Sequence, residues 1–264
     1  MKKISHVIIL ILIVAVSGPV LAMDADELIA KAIEAQGGKE KIQSIKTMKT
    51  TGKFMAGGME FPFTTLHSRP DNIRIESEVM GATMVQAYDG ENGWMINPMM
   101  GSTDPQKMPP IQAKAFKLQA DMDGPLIDWK KKGYTVEYIG TDDVEGTEVH
   151  HLKLDTNEKM VMDIYFDAEY FLSLKIRTTS SEEGSEFEND TFYSDYKEVD
   201  GMVMAHAIEN QMGGQTVSEI LIETVAFGVE VDPTIFAMPK VEEAATEESK
   251  PDADKKEKEK EKGK

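Results

Sequence analysis

The sequence predicts a mainly β fold, in which one long antiparallel sheet curls into a barrel or half-barrel and a few helices plug its apolar face. Three observations predict it. Apolar and polar residues alternate with period two over many short runs, glycine-rich turns separate those runs, and only a few stretches carry helical spacing. About a dozen strands in one run cannot stay flat, because a twisted sheet that wide must cover itself.

The helices come first along the chain. Asp24-Ala25-Asp26-Glu27 followed by Leu28, Ile29, Ala32 and Ile33 reads as a capped amphipathic helix stopped by Gly37-Gly38. Residues 39–46, with Ile42 and Ile45, add a short second helical turn. The period then switches to two. Met48, Thr50, Gly52 and Phe54 alternate with Lys49, Thr51 and Lys53, and Met59, Phe61 and Phe63 alternate with Glu60, Pro62 and Thr64. Ile73, Ile75, Ser77 and Val79 repeat the pattern, and further strands are predicted over residues 82–88 and 94–97. Gly57-Gly58, Gly81 and Gly90-Glu91-Asn92-Gly93 punctuate them as hairpin turns. Pro109-Pro110 opens a helix over residues 111–122, with Ile111, Ala115, Leu118 and Met122 at helical spacing. A further short helix is expected from Leu126 to near Gly133. Strands then resume over residues 134–140, 148–154, 160–167, 171–178, 186–196, 202–212 and 216–227.

Both ends differ from this middle. Lys2-Lys3, an apolar run from Val7 to Val16, the breaker Gly18-Pro19 and Val20-Leu21-Ala22 have the layout of a cleavable secretory signal over residues 1–22. The mature folded part then spans residues 23–240 and is exported, without a lipid anchor, to the periplasm. Residues 241–264 hold Glu, Lys, Ala and Asp with no aromatic side chain, so they cannot bury enough apolar area to order themselves. A disordered, nearly charge-balanced tail is expected there.

Composition removes several functions. With 47 Asp+Glu against 29 Lys+Arg the formal net charge is −18, which argues against a nucleic-acid binder. Cysteine is absent, which excludes disulfides, thiolate metal sites and cysteine nucleophiles. His67, His150, His151 and His206 have no metal-ligand spacing, and no nucleophile–base motif or phosphate loop is present. Asp89-Gly90-Glu91-Asn92-Gly93 lacks the further ligands of a calcium loop and reads as a hairpin turn. No enzyme, metal or cofactor is expected.

Methionine carries the stronger signal. Ten of the 18 lie between Met48 and Met122. Unbranched and polarizable, Met suits either ordinary gap-filling in a core or an apolar surface that moulds to variable ligands. Met160-x-Met162 and Met202-x-Met204 leave a Cu(I) site built on thioethers as a weaker alternative. Phe54, Met59, Phe61, Phe63, Met84, Trp94, Ile96 and Phe116 together suggest an apolar pocket for acyl chains, closed by the 111–122 helix. Which face of each strand is concave rests on alternation alone.

Several segments, in order, resemble the family of outer-membrane lipoprotein-sorting proteins, similar to the periplasmic carrier LolA. They are residues 25–31 running into Gly37-Gly38, Ser68-Arg69-Pro70-Asp71-Asn72-Ile73-Arg74, Ala87-Tyr88-Asp89-Gly90-Glu91-Asn92-Gly93-Trp94-Met95-Ile96-Asn97-Pro98, residues 193–201, and Asp232-Pro233-Thr234-Ile235-Phe236-Ala237-Met238-Pro239. The resemblance implies a single unclosed antiparallel barrel of about 11–12 strands, a helical lid over a concave apolar cavity, and acylated lipoprotein or lipid as cargo. It also implies that Arg69, with Pro70, latches the lid. The implied partners are an inner-membrane release complex and an outer-membrane acceptor, served by a monomeric shuttle. A non-catalytic envelope-stress sensor or scaffold of the same fold is the alternative.

Overall fold

The computed structural model describes residues 23–157, 159–182 and 185–240. The expected signal segment and the expected charged tail lie outside the described residues. Among the described residues three α-helices, α1 (Ala25–Ala35), α2 (Lys39–Ser44) and α3 (Pro110–Ala120), accompany thirteen strands. The strands are β1 (Thr47–Ala56), β2 (Met59–Ser68), β3 (Asn72–Val79), β4 (Ala82–Asp89), β5 (Gly93–Asn97), β6 (Ser102–Lys107) and β7 (Thr135–Val144), then β8 (Thr147–Asp155), β9 (Met160–Asp167), β10 (Ser173–Glu182), β11 (Ser185–Val199), β12 (Met202–Met212) and β13 (Gln215–Phe227). They form one sheet in the order β6-β5-β4-β3-β2-β1-β13-β12-β11-β10-β9-β8-β7. β6 and β7 are its free edges, so the sheet does not close. Its consecutive-strand pairings are antiparallel hairpins, as the alternation predicts.

Two details differ from the expectation. β6 was not anticipated, because Pro105 and Asp104 are poor strand formers. An edge strand tolerates them, since the missing proline N–H costs no ladder bond on the open side. Residues 126–133, expected as a helix, form successive turns instead. Leu126 and Ile127 are buried there, and Asp128 takes a positive φ of 55°, which interrupts helical geometry.

The chain divides into two compact units. The first comprises residues 23–45, 52–60 and 123–225; the second comprises residues 46–51, 61–122 and 226–240.

In the first unit α1 begins where the Asp24 carboxylate accepts the Glu27 N–H at 2.8 Å. Asp26 and Glu27 add charge that suits a helix N-terminus. Leu28, Ile29 and Ala32 point one way, as their spacing requires, and pack on Leu126, Leu152, Leu154, Ile164 and Phe166. The helix ends at Gly37, whose φ of 119° disfavours any side chain. A Cβ at Gly37 would also run into the Gly201 carbonyl oxygen, in the β11–β12 turn. The Val203 N–H donates to Gln36 O at 3.2 Å beside it, so the helix end and the hairpin are pinned together.

In the second unit α3 starts at Pro110, where a missing N–H costs nothing, and has no side-chain N-cap. Only Phe116 and Ala120 of α3 are buried, against Ile73, Tyr88 and Met108. A 3-10 turn at Pro233–Phe236, capped by the Asp232 carboxylate, packs on β3 and β4 as α3 does.

Candidate functional site

Strand registers show what α3 covers. His67 pairs with Ile73 and Ile73 with Tyr88; one row along, Thr65 pairs with Ile75, Ile75 with Gln86, and Gln86 with Met95. These residues share the face on which Phe116, Ala113 and Ala120 rest. Gly93 makes the close approach possible, because a Cβ there would lie 2.9 Å from the Met108 sulfur and 3.1 Å from the Ala113 Cβ. The next row is Phe63, Ser77 and Met84. Phe63 and Met84 are half-buried on either side of the buried Ser77, and the row lies outside the cluster under α3, so the helix-bearing face continues as a largely apolar strip. The strip runs toward the β3–β4 turn, where Met80 is 77% exposed.

A polar contact from β2 reaches the helix end. His67 Nε2 lies 3.1 Å from the Gln119 carbonyl oxygen. Only a donor can satisfy that oxygen, so Nε2 carries the proton and Nδ1 is left as an acceptor. Nδ1 is enclosed and has no hydrogen-bond partner among the described residues. Burial pushes the His67 pKa below its ordinary value of 6.5, with the Gln119 carbonyl opposing that shift.

The opposite face of β3–β5 is also covered, by the segment after β13. Trp94 Nε1–H donates to Phe236 O at 2.6 Å, and Arg74 Nη1 donates to Ile235 O at 2.8 Å. The Arg74 guanidinium stands 5.4 Å from the Trp94 ring centroid, and Met238 packs on Val85, Ala87 and Trp94. Nothing in the spacing of residues 232–239 foretold this cover. The signal that could have found it is the lack of alternation in Val85-Gln86-Ala87-Tyr88 and Trp94-Met95-Ile96, the mark of strands buried on both faces.

The first unit has an unusual face of its own. One row runs Tyr138, Leu152, Ile164, Ile176, Thr191, Asn210, Ser218, and a neighbouring row Val136, Leu154, Met162, Thr178, Asn189. Tyr193, Ile208 and Ile220 form a third, so no residue of these rows is charged. Across the sheet the row Glu137, Lys153, Asp163, Arg177, Asp190 is fully charged. There Arg177 grips Asp190 with two bonds of 2.7 Å, which holds that carboxyl below its usual range. α1 covers the uncharged face over β8 and β9, while Thr191, Tyr193, Ile208, Asn210, Ser218 and Ile220 lie outside that cluster and are half-buried.

The expected site residues therefore separate. Phe63, Met84 and Phe116 lie on one face of the second unit, and Phe61, two residues before Phe63 on β2, shares it by alternation. Trp94 and Ile96 lie on the opposite face, beneath Phe236 and Met238. Phe54 is half-buried on β1 in the first unit. Met59 is 49% exposed and lines an open hollow of about 470 Å³ with Met55, Gly57, Thr216 and Ser218. Arg69 and Pro70 occupy the turn after β2, where the Arg69 N–H donates to Lys46 O at 2.9 Å and the Arg69–Pro70 peptide is cis. His67 and Arg74, flanking that turn, were not expected to hold anything.

Asp89, His150 and His151 make structural contacts. Asp89 Oδ1 accepts the Glu91 and Asn92 N–H groups, closing the expected turn. His150 accepts or donates to Tyr138 at 3.0 Å, while His151 meets Asp163 at 2.8 Å on the other face. Met202 sits beside Gly37. Among the described residues no group of three His, Asp or Glu side chains is placed to hold a metal ion. No helix among them is long and apolar enough to cross a membrane.

No family model matches the sequence, and no curated protein matches it. Solved structures do. A DUF1329 family protein from Desulfovibrio piger is 11% identical at a TM-score of 0.57, over 80% of this chain and 96% of that one. A LolA superfamily protein from Nitrosomonas europaea is 14% identical at a TM-score of 0.56, over 82% and 98%. A putative outer membrane lipoprotein-sorting protein domain from Vibrio parahaemolyticus is 12% identical at a TM-score of 0.52, over 80% and 94%. The chain has the open half-barrel fold of the LolA superfamily structures.

Proposed function

We propose that the protein is a periplasmic carrier without covalent chemistry, which holds the acyl chains of lipoproteins or related lipids and moves them toward the outer membrane. The observation that carries this reading is the helix-bearing face of the second unit. α3 rests there on Phe116, Ala120 and Ala113 and is joined by a His67 bond, beside the half-buried apolar strip of Phe61, Phe63 and Met84. Burying Phe116 supplies about 2–3 kcal/mol, and the hydrogen bond about 1 kcal/mol. A cover seated on so few buried side chains is exchanged for an acyl chain, since each buried methylene returns about 0.8 kcal/mol. The LolA-like fold of the solved relatives supports the reading. Export of residues 23–264, an inner-membrane donor and an outer-membrane acceptor belong to it.

The test is to isolate the exported protein, record its native mass and extract it for lipid. An acylated peptide or lipid at substoichiometric level, and uptake of N-phenyl-1-naphthylamine by the stripped protein, are expected. A protein free of lipid that takes up no dye contradicts the proposal.

A further inference from the structure

One stretch of strand in the first unit has no neighbouring strand on one side among the described residues. β13 lies between β12 and β1 in the sheet. The Lys53 ammonium of β1 stands 3.9 Å from the Glu223 carboxylate of β13. Beyond that pair β1 continues for three residues, to Ala56, whereas β13 continues for eight, to Gln215. β13 therefore overhangs β1. Over residues 215–218 its β12 side is paired and its other side is open. The space left there is the hollow of about 470 Å³, with residues 216–219 on one bank and residues 55–60 of the β1–β2 hairpin on the other. Its size suits a ligand site. Val217 stands in the overhang as an extra residue, because the β12–β13 register slips between Asn210 and Gln211, and its side chain is 43% exposed. Both hairpin tips beside the hollow are Gly-Gly pairs, Gly57-Gly58 and Gly213-Gly214, and a Cβ on any of the four would meet nothing within 4 Å.

An open strand edge offers backbone N–H and C=O groups at alternate residues, and an extended chain completes them by adding a strand. The side chains around the edge set which chain fits. Glu60 and Glu223 both approach Lys53, at 2.8 and 3.9 Å, so the three share a face. Glu219, four residues from Glu223 on β13, shares it by alternation, and Glu209 pairs with Glu219 from β12. Glu209 accepts from Thr216 Oγ1 and Gln211 Nε2, which holds its carboxyl below the usual range. Four carboxylates thus gather around one ammonium on that face. The other face offers Met59, whose unbranched thioether moulds to apolar side chains of varied shape. We infer that the β13 overhang is a docking edge for an extended, cationic segment of a partner protein, which adds as a short strand with lysine or arginine at alternate positions against Glu60 and Glu219 and apolar residues between them. The backbone ladder supplies affinity and the alternation supplies selection. A second copy of this chain is a poor occupant, since its own overhang would set the same carboxylates opposite these. The inference stands apart from the carrier reading.

The experiment titrates the protein into a fluorescein-labelled peptide, Lys-Val-Lys-Val-Lys-Val-Lys, and reads anisotropy. Two more peptides separate the parts of the inference. Glu-Val-Glu-Val-Glu-Val-Glu reverses the charge, and the lysine peptide N-methylated at every residue keeps the charge and loses its backbone donors. The unmodified lysine peptide should bind at least about tenfold more tightly than either. Replacing Glu60→Gln together with Glu219→Gln should weaken it about fivefold at low salt. Bound peptide should also slow hydrogen exchange in residues 215–219. Equal binding of the N-methylated peptide would leave charge attraction without a ladder and overturn the inference. Equal binding of the glutamate peptide, protection confined to other strands, or no binding at millimolar peptide overturns it as well. The carrier reading is tested separately by lipid and dye uptake, which none of these outcomes alters.

Discussion

α1 and α3 are both eleven residues long and both rest on β-sheet, yet they are built for different ends. α1 has a side-chain N-cap, acidic residues in its first turn, three buried apolar residues and a glycine terminus locked against Gly201. α3 has no side-chain cap, two buried residues, and an Ile111 that is 46% exposed. The contrast teaches that helical length says little about commitment. Caps and continuous burial make α1 part of a core, whereas the proposed carrier role takes their absence to mark α3 as a cover that leaves without unfolding what it covers.

Breaking α1 should give the largest effect. Leu28→Ala removes a fully buried side chain from the α1 cluster, and a loss of about 3–5 kcal/mol in global stability is expected by urea denaturation. Gly37→Ala should approach the same size, because it adds both a positive-φ strain and a clash with backbone. Phe116→Ala should cost α3 about 3 kcal/mol of docking while the denaturation midpoint moves little. That separation is read by comparing hydrogen exchange in α3 with chemical denaturation of the whole chain.

Gly93→Ala is smaller and sharper. The added methyl meets Met108 and Ala113 but no strained backbone, so about 1–2 kcal/mol of α3 docking should be lost, seen as faster dye entry. The smallest effect is that of pH. The docked state lowers the His67 pKa below 6.5, so docking is at full strength above that value and weakens as pH falls beneath it. Protonation would put an unpartnered N–H at the enclosed Nδ1. Dye entry should therefore quicken from pH 7.5 to pH 5.5, by about 1 kcal/mol in docking, and His67→Gln should remove most of the dependence.

Much of this contrast could be read from residues. Asp24, the Leu28–Ile29–Ala32 stripe and Gly37-Gly38 mark α1 unambiguously, and strict alternation marks β2, β3 and the hairpins around them. The site was less legible. Alternation assigns a face only where one side is wet, and β4 and β5 are covered on both sides, by α3 and by Phe236 with Met238. Trp94 and Ile96 therefore grouped with Phe116 by hydropathy although the sheet separates them. The uncharged face of the first unit escaped notice for a different reason. Thr178, Asn189, Thr191, Asn210 and Ser218 look like solvent-facing polar positions until the registers align them across strands.

The claim at the centre is that α3 opens independently of the sheet it covers. Hydrogen exchange of the protein, followed by mass spectrometry with and without N-phenyl-1-naphthylamine, tests it directly. The amides of residues 114–120 should exchange at least about a hundredfold faster than those of residues 29–35, as expected for about 3 kcal/mol less protection, and the dye should change the rate in α3 alone. Equal protection of the two helices, unchanged by the dye, would contradict the claim and make α3 a permanent part of the core.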